Sequence, residues 1–507
     1  MGTLRKTTGA IVQLPLGVPE AGETLQHWLY SSLRQAILEG RLGRGMALPG
    51  TRALALQHGI ARGTVQAAYN QLISEGYAVA AHGSATRVSP NLPERVPRAE
   101  TEAEADPAAT ATAPCLAPSP LPQPRLWTAT LEGEGSPFAL QPPGGLPPLF
   151  QPHRGDVRAF PIDVWRALHV RHLRASRAEV LLDPGPAGLE KLRWQISEHL
   201  YVARGVQARP EQIVIMSSMQ QALDICLRLL VAPGEQVWME DPGYPGARLL
   251  MQANGAQLVN VPVDAGGMRV EEGIRMAPNA RLAYVTPARQ APMAVALSPE
   301  RRMALLDWAA AAGAYVFEDI YDSEYRLVGK PIPSLLSQPG SEHNVIFSAS
   351  FSKLLFPGIR LAFVVLPRHL VAPFVRAHSL ANRNASGLTQ AVLADFFADG
   401  HFERHVRRMR RLYAARSQAF MEAASRHWRG LLEVPPSTAG LDIVARLLSM
   451  DEASALARLG PAGLVAFPLS RYTATNVLPP ALVMGFAPFD EETIDAGARR
   501  VAAALRA

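Results

Sequence analysis

The residues most suggestive of chemistry form a short segment in which a lysine follows two serines. The segment reads Ser350-Phe351-Ser352-Lys353, and Arg360 stands seven positions after the lysine. A lysine in an apolar context can form a Schiff base with an aldehyde, while hydroxyls and a guanidinium can hold a phosphate. A lone lysine after serines is usually a surface residue, and class A β-lactamases share the Ser-x-x-Lys spacing. Their Ser-Asp-Asn and Lys-Thr-Gly strings are absent from this sequence, which favours aldehyde and phosphate binding.

Three further strings could complete a site for a phosphorylated aromatic aldehyde. Glu-Asp-Ile-Tyr-Asp at 318–322 ends an apolar run, where an aspartate could pair with a protonated pyridine nitrogen and keep the ring electron-withdrawing. Glu-Asp-Pro-Gly-Tyr at 240–244 ends another run, and its tyrosine could lie on the ring face. Ser-Ser-Met-Gln at 217–220 precedes a helical pattern, and helix N-termini bind phosphate. Each string alone is more often a turn or a helix cap, but together with the lysine segment they favour a pyridoxal phosphate site.

The elements that must position these strings are predicted from short apolar runs between helical patterns. The runs predict strands at 212–216, 236–240, 282–286, 314–318, 344–348 and 362–366. Strands that alternate with helices indicate a mainly parallel sheet with helices on its faces. Ligands of such sheets bind beyond the carboxyl ends of the strands, which is where the four strings stand.

A separate small module is predicted before this body. Leucine or isoleucine at 25, 29, 33 and 37 has helical spacing, and Gly40 would end that helix. Two more helices and two short strands are predicted at 51–57, 62–75, 78–80 and 86–89. Three helices with a two-stranded ribbon form a winged helix-turn-helix. Small helical bundles are common, so the pattern alone leaves DNA binding open.

The small module resembles the DNA-binding module of the GntR family of regulators from about 25 to 90. The strings that carry the resemblance are Leu-Pro-Gly-Thr-Arg-Ala-Leu-Ala at 48–55, Ala-Arg-Gly-Thr-Val at 61–65 and His-Gly at 82–83. The resemblance implies DNA contacts from Arg52, Arg62, Gly63, Thr64, His82 and Gly83. Arginines suit phosphate or guanine, and amides at a helix N-terminus suit phosphate oxygens. Gln66 would share this face and could read a base, although an exposed helix glutamine without that role is equally consistent.

The strings of the body together resemble fold type I aminotransferases, and among them the MocR-type regulators, which fuse a GntR module to such a domain through a variable linker. The resemblance runs from 155 to about 504 and includes Thr-Pro-Ala-Arg-Gln at 286–290. It implies that Lys353 forms the Schiff base with pyridoxal 5'-phosphate, that Asp319 pairs with the pyridine nitrogen and that Tyr244 stacks on the ring. The implied partner of the phenolic oxygen is Tyr321, with Gln290 nearby. The implied phosphate ligands are Ser350, Ser352, Arg360 and the backbone amides of Ser218 and Met219.

Composition and the two resemblances predict a multidomain chain. A small α+β winged helix-turn-helix occupies 22–90, and a large α/β domain of the fold type I pyridoxal phosphate-dependent transferase class occupies 151–507. The segment 91–150 between them is rich in alanine and proline and has few large aliphatic residues. Such a segment cannot bury enough surface to offset its ordering entropy, so a flexible linker is expected.

Several positions depart from the patterns of these families. Ala61 stands where the GntR module usually has serine or threonine, so the third helix would lack a side-chain cap, a loss of about 1 kcal/mol. Ser218 stands where glycine is common, and Met293-Ala294 replaces Thr-Gly. Asp183 stands where a tyrosine is often found.

A further departure concerns the substrate carboxylate. Active aminotransferases place an arginine for it in the strand before Gly485, whereas this chain has Leu-Val-Met at 482–484. An uncompensated carboxylate entering the site would cost free energy, so weak or no transamination of ordinary amino acids is expected. That Arg289 or Arg248 replaces the missing partner is only a speculation at this point.

Bulk properties exclude several classes of protein. A hydrophobic content of 48% with 19% charged residues is typical of a soluble globular protein. Cys115 and Cys226 are the only cysteines, which excludes a disulfide framework and a cysteine-based zinc module; no metal site is expected. The start lacks a signal-peptide core, and no run approaches the roughly 18 to 20 apolar residues of a membrane span. A cytoplasmic location is expected, and the net charge of +6 permits a nucleic-acid partner without demonstrating one.

Three functions remain to be compared. The favoured one is a regulator whose large domain senses pyridoxal phosphate, or an amine or amino acid that reacts with it, and repositions the DNA-binding modules. The resemblance implies a homodimer that binds paired operator half-sites. The second is a working aminotransferase with an accessory DNA-binding module, and the third is a DNA-binding protein whose large domain holds no cofactor. The retained Lys353, Asp319, Tyr321 and Arg360 argue against the third, and the missing carboxylate partner argues against the second.

Overall fold

A computed structural model describes residues 16–17, 19, 22–80, 85–93, 147–174, 182–320, 322, 324–329, 332–436 and 439–507. The chain divides into two compact units, 1–120 and 121–507. Most of the predicted linker at 91–150, together with His82, Gly83 and Tyr321, lies outside the described residues. The linker and the boundaries assigned to it therefore stay predictions.

The first unit contains the three helices and the ribbon predicted from its sequence. They are α1 at Leu25–Leu38, α2 at Thr51–His58, α3 at Arg62–Ser74, β1 at Ala78–Val79 and β2 at Arg87–Val88. The two strands are antiparallel. The apolar faces of the helices form one core with Leu29, Leu33 and Leu72 fully enclosed, which confirms the winged helix-turn-helix.

Local chemistry explains where these helices begin and end. The Thr24 hydroxyl accepts a hydrogen bond from the His27 amide at 3.3 Å and caps α1. Gly59 follows α2 with a left-handed φ of 66°, a conformation that favours glycine. Ala61 precedes α3 and makes no side-chain cap bond, as its sequence predicted. The Tyr69 hydroxyl donates to the Pro49 carbonyl at 2.7 Å and so holds α3 against the turn that leads into α2.

The second unit is an α/β domain built on two sheets. Its helices are α4 at Ile162–Arg174, α5 at Glu190–Arg204, α6 at Met219–Leu230, α7 at Pro245–Ala253, α8 at Val270–Met276, α9 at Pro299–Ala312, α10 at Phe351–Leu354, α11 at Arg368–Asn382, α12 at Gly387–Ala398, α13 at His401–His427, α14 at Glu452–Leu459 and α15 at Glu491–Arg506. Its strands are β3 at Ile213–Met216, β4 at Gln236–Asp241, β5 at Gln257–Asp264, β6 at Gly267–Met268, β7 at Leu282–Val285, β8 at Tyr315–Ile320, β9 at Val345–Ser350, β10 at Ala362–Val365, β11 at Leu432–Glu433, β12 at Asp442–Leu447, β13 at Phe467–Pro468 and β14 at Ala481–Gly485.

The larger sheet has the order β3-β10-β9-β8-β7-β4-β5-β6. The strands β5, β4, β7, β8 and β9 run parallel, while β10 is antiparallel to both of its neighbours. All six predicted strands are present in this sheet, and the mainly parallel α/β class is confirmed. The carboxyl ends of β4, β7, β8 and β9 share one edge, as parallel strands require.

The second sheet, with the order β11-β12-β14-β13, is antiparallel throughout. Two of its strands have two residues each, too few for an apolar run to reveal them. Within the described part of the chain, no helix is long and apolar enough to cross a membrane, and no group of acidic, histidine or cysteine residues has the arrangement of a metal site.

Candidate cofactor site and DNA-binding surface

The Lys353 turn is held between two strands and two polar side chains. It lies in α10, between β9 and β10, which pair antiparallel. The carbonyl of the next residue, Leu354, accepts hydrogen bonds from the Tyr325 hydroxyl at 2.6 Å and from Nε2 of His405 at 3.1 Å. A lysine whose backbone is fixed from both sides can present its amine in one direction.

The burial of Lys353 favours a reactive amine. Burial lowers the pKa of Lys353, while the carboxylates of Asp322, Asp442 and Asp319 act in the opposite direction. A lowered pKa increases the neutral fraction of the amine, which is the nucleophilic form. The site therefore combines a reactive nitrogen with carboxylates able to balance a cation.

Asp319 stands near the end of β8 and is almost fully enclosed. Burial raises its pKa to about 6, although a hydrogen bond from Tyr284 lowers it. That hydroxyl donates to Oδ2 of Asp319 at 2.6 Å. A protonated ring nitrogen brought to this carboxylate would add a positive charge beside it and favour its ionised form.

The predicted phosphate ligands form a set of hydroxyls and helix ends. Ser218 caps α6, its hydroxyl accepting from the Gln221 amide at 3.2 Å, and Met219 is the first residue of that helix. Ser350 caps α10 by accepting from the Ser352 amide at 3.2 Å. Amides in the first turn of a helix have no intrahelical partner and attract anions.

Arg360 is an exposed arginine with a backbone conformation that is unusual for its type. It has φ 48° and ψ 46°, in the left-handed region that residues with a side chain rarely adopt. Such outliers are typical of functional sites. The amine, the ring-nitrogen partner, the hydroxyls and the guanidinium together fit pyridoxal phosphate, which when bound supplies an electron-withdrawing ring.

Gln290 has a buried side chain that is hydrogen-bonded within the loops at the strand ends. Its Nε2 donates to the Pro242 carbonyl at 2.7 Å and the Ala291 carbonyl at 2.8 Å, and its Oε1 accepts from the Met293 amide at 3.0 Å. The same Nε2 lies 3.3 Å from Glu240. The carboxamide thus holds two loops at the strand ends together, and its contact with the cofactor stays a prediction. Tyr244 lies beside these loops, partly buried at the start of α7.

The structure also shows how the departures from the family patterns are accommodated. Ala294, which stands where glycine is usual, has φ 60°. Asp183 accepts a hydrogen bond from the Gly185 amide at 2.8 Å and pairs with Arg383 at 3.6 Å. Ser218 uses its hydroxyl as a helix cap, which glycine could not do.

The strand β14 offers no charge for a substrate carboxylate. Leu482 and Met484 face the main core, whereas Val483 packs with Tyr472 and, at the margin, Met293. All three strand residues are buried and apolar. This finding agrees with the predicted loss of the arginine.

Both arginines considered as replacements are already bound to other groups of the protein. Arg289 donates to Asp322 at 3.1 Å and to the carbonyls of residues 439 and 442 at 2.9 Å each. The terminal nitrogens of Arg248 donate to the carbonyls of residues 472 and 473 at 2.7 and 3.1 Å. Both guanidiniums are therefore held inside the protein, although Nε of Arg248 has no hydrogen-bond partner among the described residues.

Sequence reasoning missed one polar cluster beside the lysine. His153 Nδ1 lies 2.7 Å from Oδ2 of Asp442, and its Nε2 lies 2.7 Å from the Tyr472 hydroxyl. We call these residues the His153–Asp442–Tyr472 cluster. Its first two members are 289 positions apart in the chain, and neither stands in a recognisable motif, so only the fold reveals it.

The predicted DNA-binding residues share one surface at the starts of α2 and α3. Arg52, Arg62, Gly63 and Gln66 are exposed, and Thr64 is partly exposed. Arg62 Nε donates to the Thr51 hydroxyl at 3.3 Å. Neither helix contains an acidic residue, so this surface combines arginines with two helix N-termini, as phosphate binding requires.

Comparisons with known proteins match both units of the chain. A model of class I and II aminotransferases matches residues 154–495, and a model of bacterial regulatory proteins of the gntR family matches residues 25–88. The chain is 35% identical over 492 residues to the probable rhizopine catabolism regulatory protein MocR of Rhizobium meliloti, with 96% of this chain and 95% of that protein covered.

Two other proteins extend the comparison. The pyridoxine biosynthesis regulator PdxR of Corynebacterium glutamicum is 29% identical, with 96% of this chain and 97% of PdxR covered. The crystal structure of Pyrococcus horikoshii kynurenine aminotransferase, solved with PMP, superimposes with a TM-score of 0.65 at 25% identity over 69% of this chain and 89% of that one.

Proposed function

The chain belongs to the MocR-type branch of the GntR family, and on that premise we propose that it is a pyridoxal phosphate-dependent transcriptional regulator that responds to a small ligand. A winged helix-turn-helix binds the operator, and an aminotransferase-like domain carries the cofactor on Lys353. The ligand is an amine or amino acid that binds at the cofactor.

One observation favours ligand sensing over catalytic turnover. The groups that suit the cofactor, among them Lys353, Asp319 and Arg360, are present, while the strand that would carry the carboxylate partner presents Val483, and the guanidiniums of Arg289 and Arg248 already donate to other groups of the protein. A site that keeps its cofactor ligands but lacks a substrate ligand suits occupancy better than repeated amino-group transfer. We therefore propose little or no transamination of ordinary amino acids.

DNA binding follows from the exposed surface at α2 and α3. A single module of this size contacts one half-site, and paired half-sites need two modules. We propose a homodimer in the cytoplasm, as the family relationship implies. A ligand alters DNA binding only if it binds two arrangements of the dimer with different affinity.

The experiment uses the purified full chain and DNA from upstream of its own gene. Wild type should show a visible absorption band of bound pyridoxal phosphate, and Lys353→Ala should lose it. Gel-shift titrations with and without the cofactor should differ in wild type and coincide in Lys353→Ala. A wild type without a band, or without binding to that DNA, would overturn the proposal.

A working aminotransferase is the second candidate, favoured by the intact lysine site and by the aminotransferase fold. Steady keto-acid production from common amino acids by wild type, and its absence in Lys353→Ala, would place this function first. A single turnover that stops when the bound cofactor is used would support the sensor instead.

A further inference from the structure

The turn that carries Lys353 ends in a carbonyl that its own short helix cannot satisfy. Helix α10 has only four residues, Phe351–Leu354, and the last carbonyls of a helix have no donor within it. A single helical turn is also unstable by itself in water, because its first hydrogen bond must fix several backbone angles. The side chains around the Leu354 carbonyl therefore determine whether this turn keeps one conformation.

Tyr325 donates the first of two hydrogen bonds to this carbonyl. Its hydroxyl lies 2.6 Å from the Leu354 oxygen, and the residue is almost fully enclosed. Its backbone is fixed as well, because its amide donates to the Asp322 carbonyl and its carbonyl accepts from the Gly440 amide, each at 2.9 Å. Asp322 is one of the carboxylates whose charge acts on Lys353. The tyrosine thus joins the loop beyond β8 to the lysine turn.

His405 on α13 donates the second hydrogen bond. Its Nε2 lies 3.1 Å from the Leu354 oxygen, and because a carbonyl oxygen only accepts, Nε2 carries the proton. Burial lowers the pKa of His405 to about 4, and its Nδ1 has no hydrogen-bond partner among the described residues. The imidazole is therefore neutral near pH 7, and its one N–H is directed at the lysine turn.

Aromatic packing fixes the side chains of both donors. The ring of Tyr325 meets the ring of Tyr413 edge to face at a centroid distance of 4.9 Å, and the His405 imidazole meets the ring of Phe160 in the same way at 5.5 Å. The Tyr413 hydroxyl in turn accepts from the Asp156 amide at 2.9 Å. Side chains whose rotamers are locked by such packing hold their partners precisely. The two donors therefore offer the Leu354 carbonyl one position.

The carbonyl of Lys353 itself is also closely packed. A Cβ at Gly155 would lie 3.6 Å from the Lys353 carbonyl oxygen and 3.1 Å from the hydroxyl oxygen of Tyr413. The lack of a side chain at Gly155 thus lets its segment lie directly against the turn. The backbone of Lys353 and of the residue after it is therefore held by groups that come from three distant parts of the chain.

We propose that Tyr325 and His405 are positioning residues for the cofactor lysine, which set the direction of the Lys353 amine by holding the carbonyl of the next residue. This inference rests on the proposed function, since it concerns the same lysine. The bond between the Lys353 nitrogen and the cofactor aldehyde forms with loss of water and needs the amine close to the aldehyde carbon in one direction. Neither side chain needs to contact the cofactor, because both act through the Leu354 carbonyl.

The test compares pyridoxal phosphate with pyridoxine phosphate, in which an alcohol replaces the aldehyde and cannot react with the lysine. The full chain is titrated with each form by calorimetry, and with the aldehyde also by the visible band. Tyr325→Phe should weaken pyridoxal phosphate about tenfold, the value of one good hydrogen bond, and leave pyridoxine phosphate unchanged. Tyr315→Phe is the matched control and should change neither, because it removes a tyrosine hydroxyl that lies 2.9 Å from Nε2 of His369 at the other end of β8.

Two variants of His405 test the second donor independently. His405→Leu removes the N–H and should weaken pyridoxal phosphate about tenfold, again without an effect on pyridoxine phosphate. His405→Gln keeps an N–H of similar reach and should restore most of the affinity. If Tyr325→Phe does not fold, this pair of variants decides the inference by itself.

Other outcomes would overturn the inference. Equal weakening of both cofactor forms would show that the two residues only stabilise the domain. Unchanged binding of pyridoxal phosphate in Tyr325→Phe and His405→Leu, or an equal loss in His405→Leu and His405→Gln, would each contradict a positioning role. Any of these results with a normal visible band in wild type would leave the proposed function standing, whereas a wild type without the band would overturn the proposed function itself.

Discussion

Asp319 on β8 accepts a 2.6 Å hydrogen bond from the hydroxyl of Tyr284 on β7, and both side chains are almost fully enclosed. Two neighbouring parallel strands thus hold a carboxylate at the edge where the cofactor is expected. The arrangement holds a buried carboxylate in place for a cationic ring nitrogen. In the protein without its cofactor, this buried charge lowers the free energy of unfolding.

That cost should be visible in the pH dependence of stability. Burial raises the pKa of Asp319 from 3.8 to about 6, so the folded state binds more protons than the unfolded state between these values. The free energy of unfolding then falls as pH rises through this window, by up to about 3 kcal/mol. Asp319→Asn cannot ionise, so without cofactor it should gain stability relative to wild type between pH 4 and 6 and keep the gain above it.

Urea unfolding of the cofactor-free proteins at several pH values measures this difference. Tyr284→Phe provides a second variant, because it removes the hydrogen bond that lowers the pKa of Asp319 and should move the falling part of the curve to higher pH. If the free energies of unfolding of wild type and Asp319→Asn changed with pH in parallel, the pKa of Asp319 would not be raised by burial, and the prediction would be wrong.

Arg62 provides a prediction for the DNA-binding surface. Arg62→Ala should weaken binding to the upstream DNA at every salt concentration and lower the slope of log affinity against log salt by about 1, as expected for one lost phosphate contact. The matched control is Arg41→Ala, since Arg41 is also exposed but pairs with Glu39 after the end of α1. An equal effect of both variants on affinity would refute the assignment of this surface.

Particular residues show which parts of the fold and of the site the sequence could predict. Apolar runs ending in polar strings revealed six of the eight strands of the large sheet, all but β5 and β6, and the positions of Asp319 and Lys353, because both signals are local. The pairing of His153 with Asp442 depends on how the segment before α4 crosses the second sheet, and no local pattern encodes it. The hydrogen bonds of the Arg289 guanidinium likewise depend on backbone carbonyls that only the fold brings close to it.

Ala294 permits a prediction about stability alone. It has a φ of 60°, a conformation that costs a residue with a side chain roughly 1–2 kcal/mol. Ala294→Gly should therefore stabilise the domain by about 0.5–1 kcal/mol, after the greater flexibility of glycine in the unfolded chain is subtracted. Ala310→Gly, at an exposed position of α9, is the control and should destabilise by about 1 kcal/mol. Thermal unfolding of both variants separates the two effects, and destabilisation by Ala294→Gly would contradict the prediction.

Gly440 tests whether the position of Arg289 supports the site. A Cβ at this glycine would lie 2.1 Å from Cζ of Arg289, in a backbone with φ 86°. Gly440→Ala must therefore displace the guanidinium and leave Asp322, whose Oδ1 has no hydrogen-bond partner among the described residues, as a buried charge without its ion pair. Breaking such a pair costs about 3–5 kcal/mol, and the same displacement disturbs Asp442 beside the lysine.

Gly430→Ala is the matched control for that substitution, because Gly430 has a similar φ of 77° but open space around its Cβ. It should lose only the conformational cost of about 1–2 kcal/mol. Gly440→Ala should in addition weaken cofactor binding, measured by titrating the visible band, since the carboxylates around Lys353 would rearrange. If the two variants lost the same stability and bound the cofactor equally well, Arg289 would not support the site. Its hydrogen bonds to Asp322 and to the Asp442 carbonyl would then not connect the end of β8 with the His153–Asp442–Tyr472 cluster.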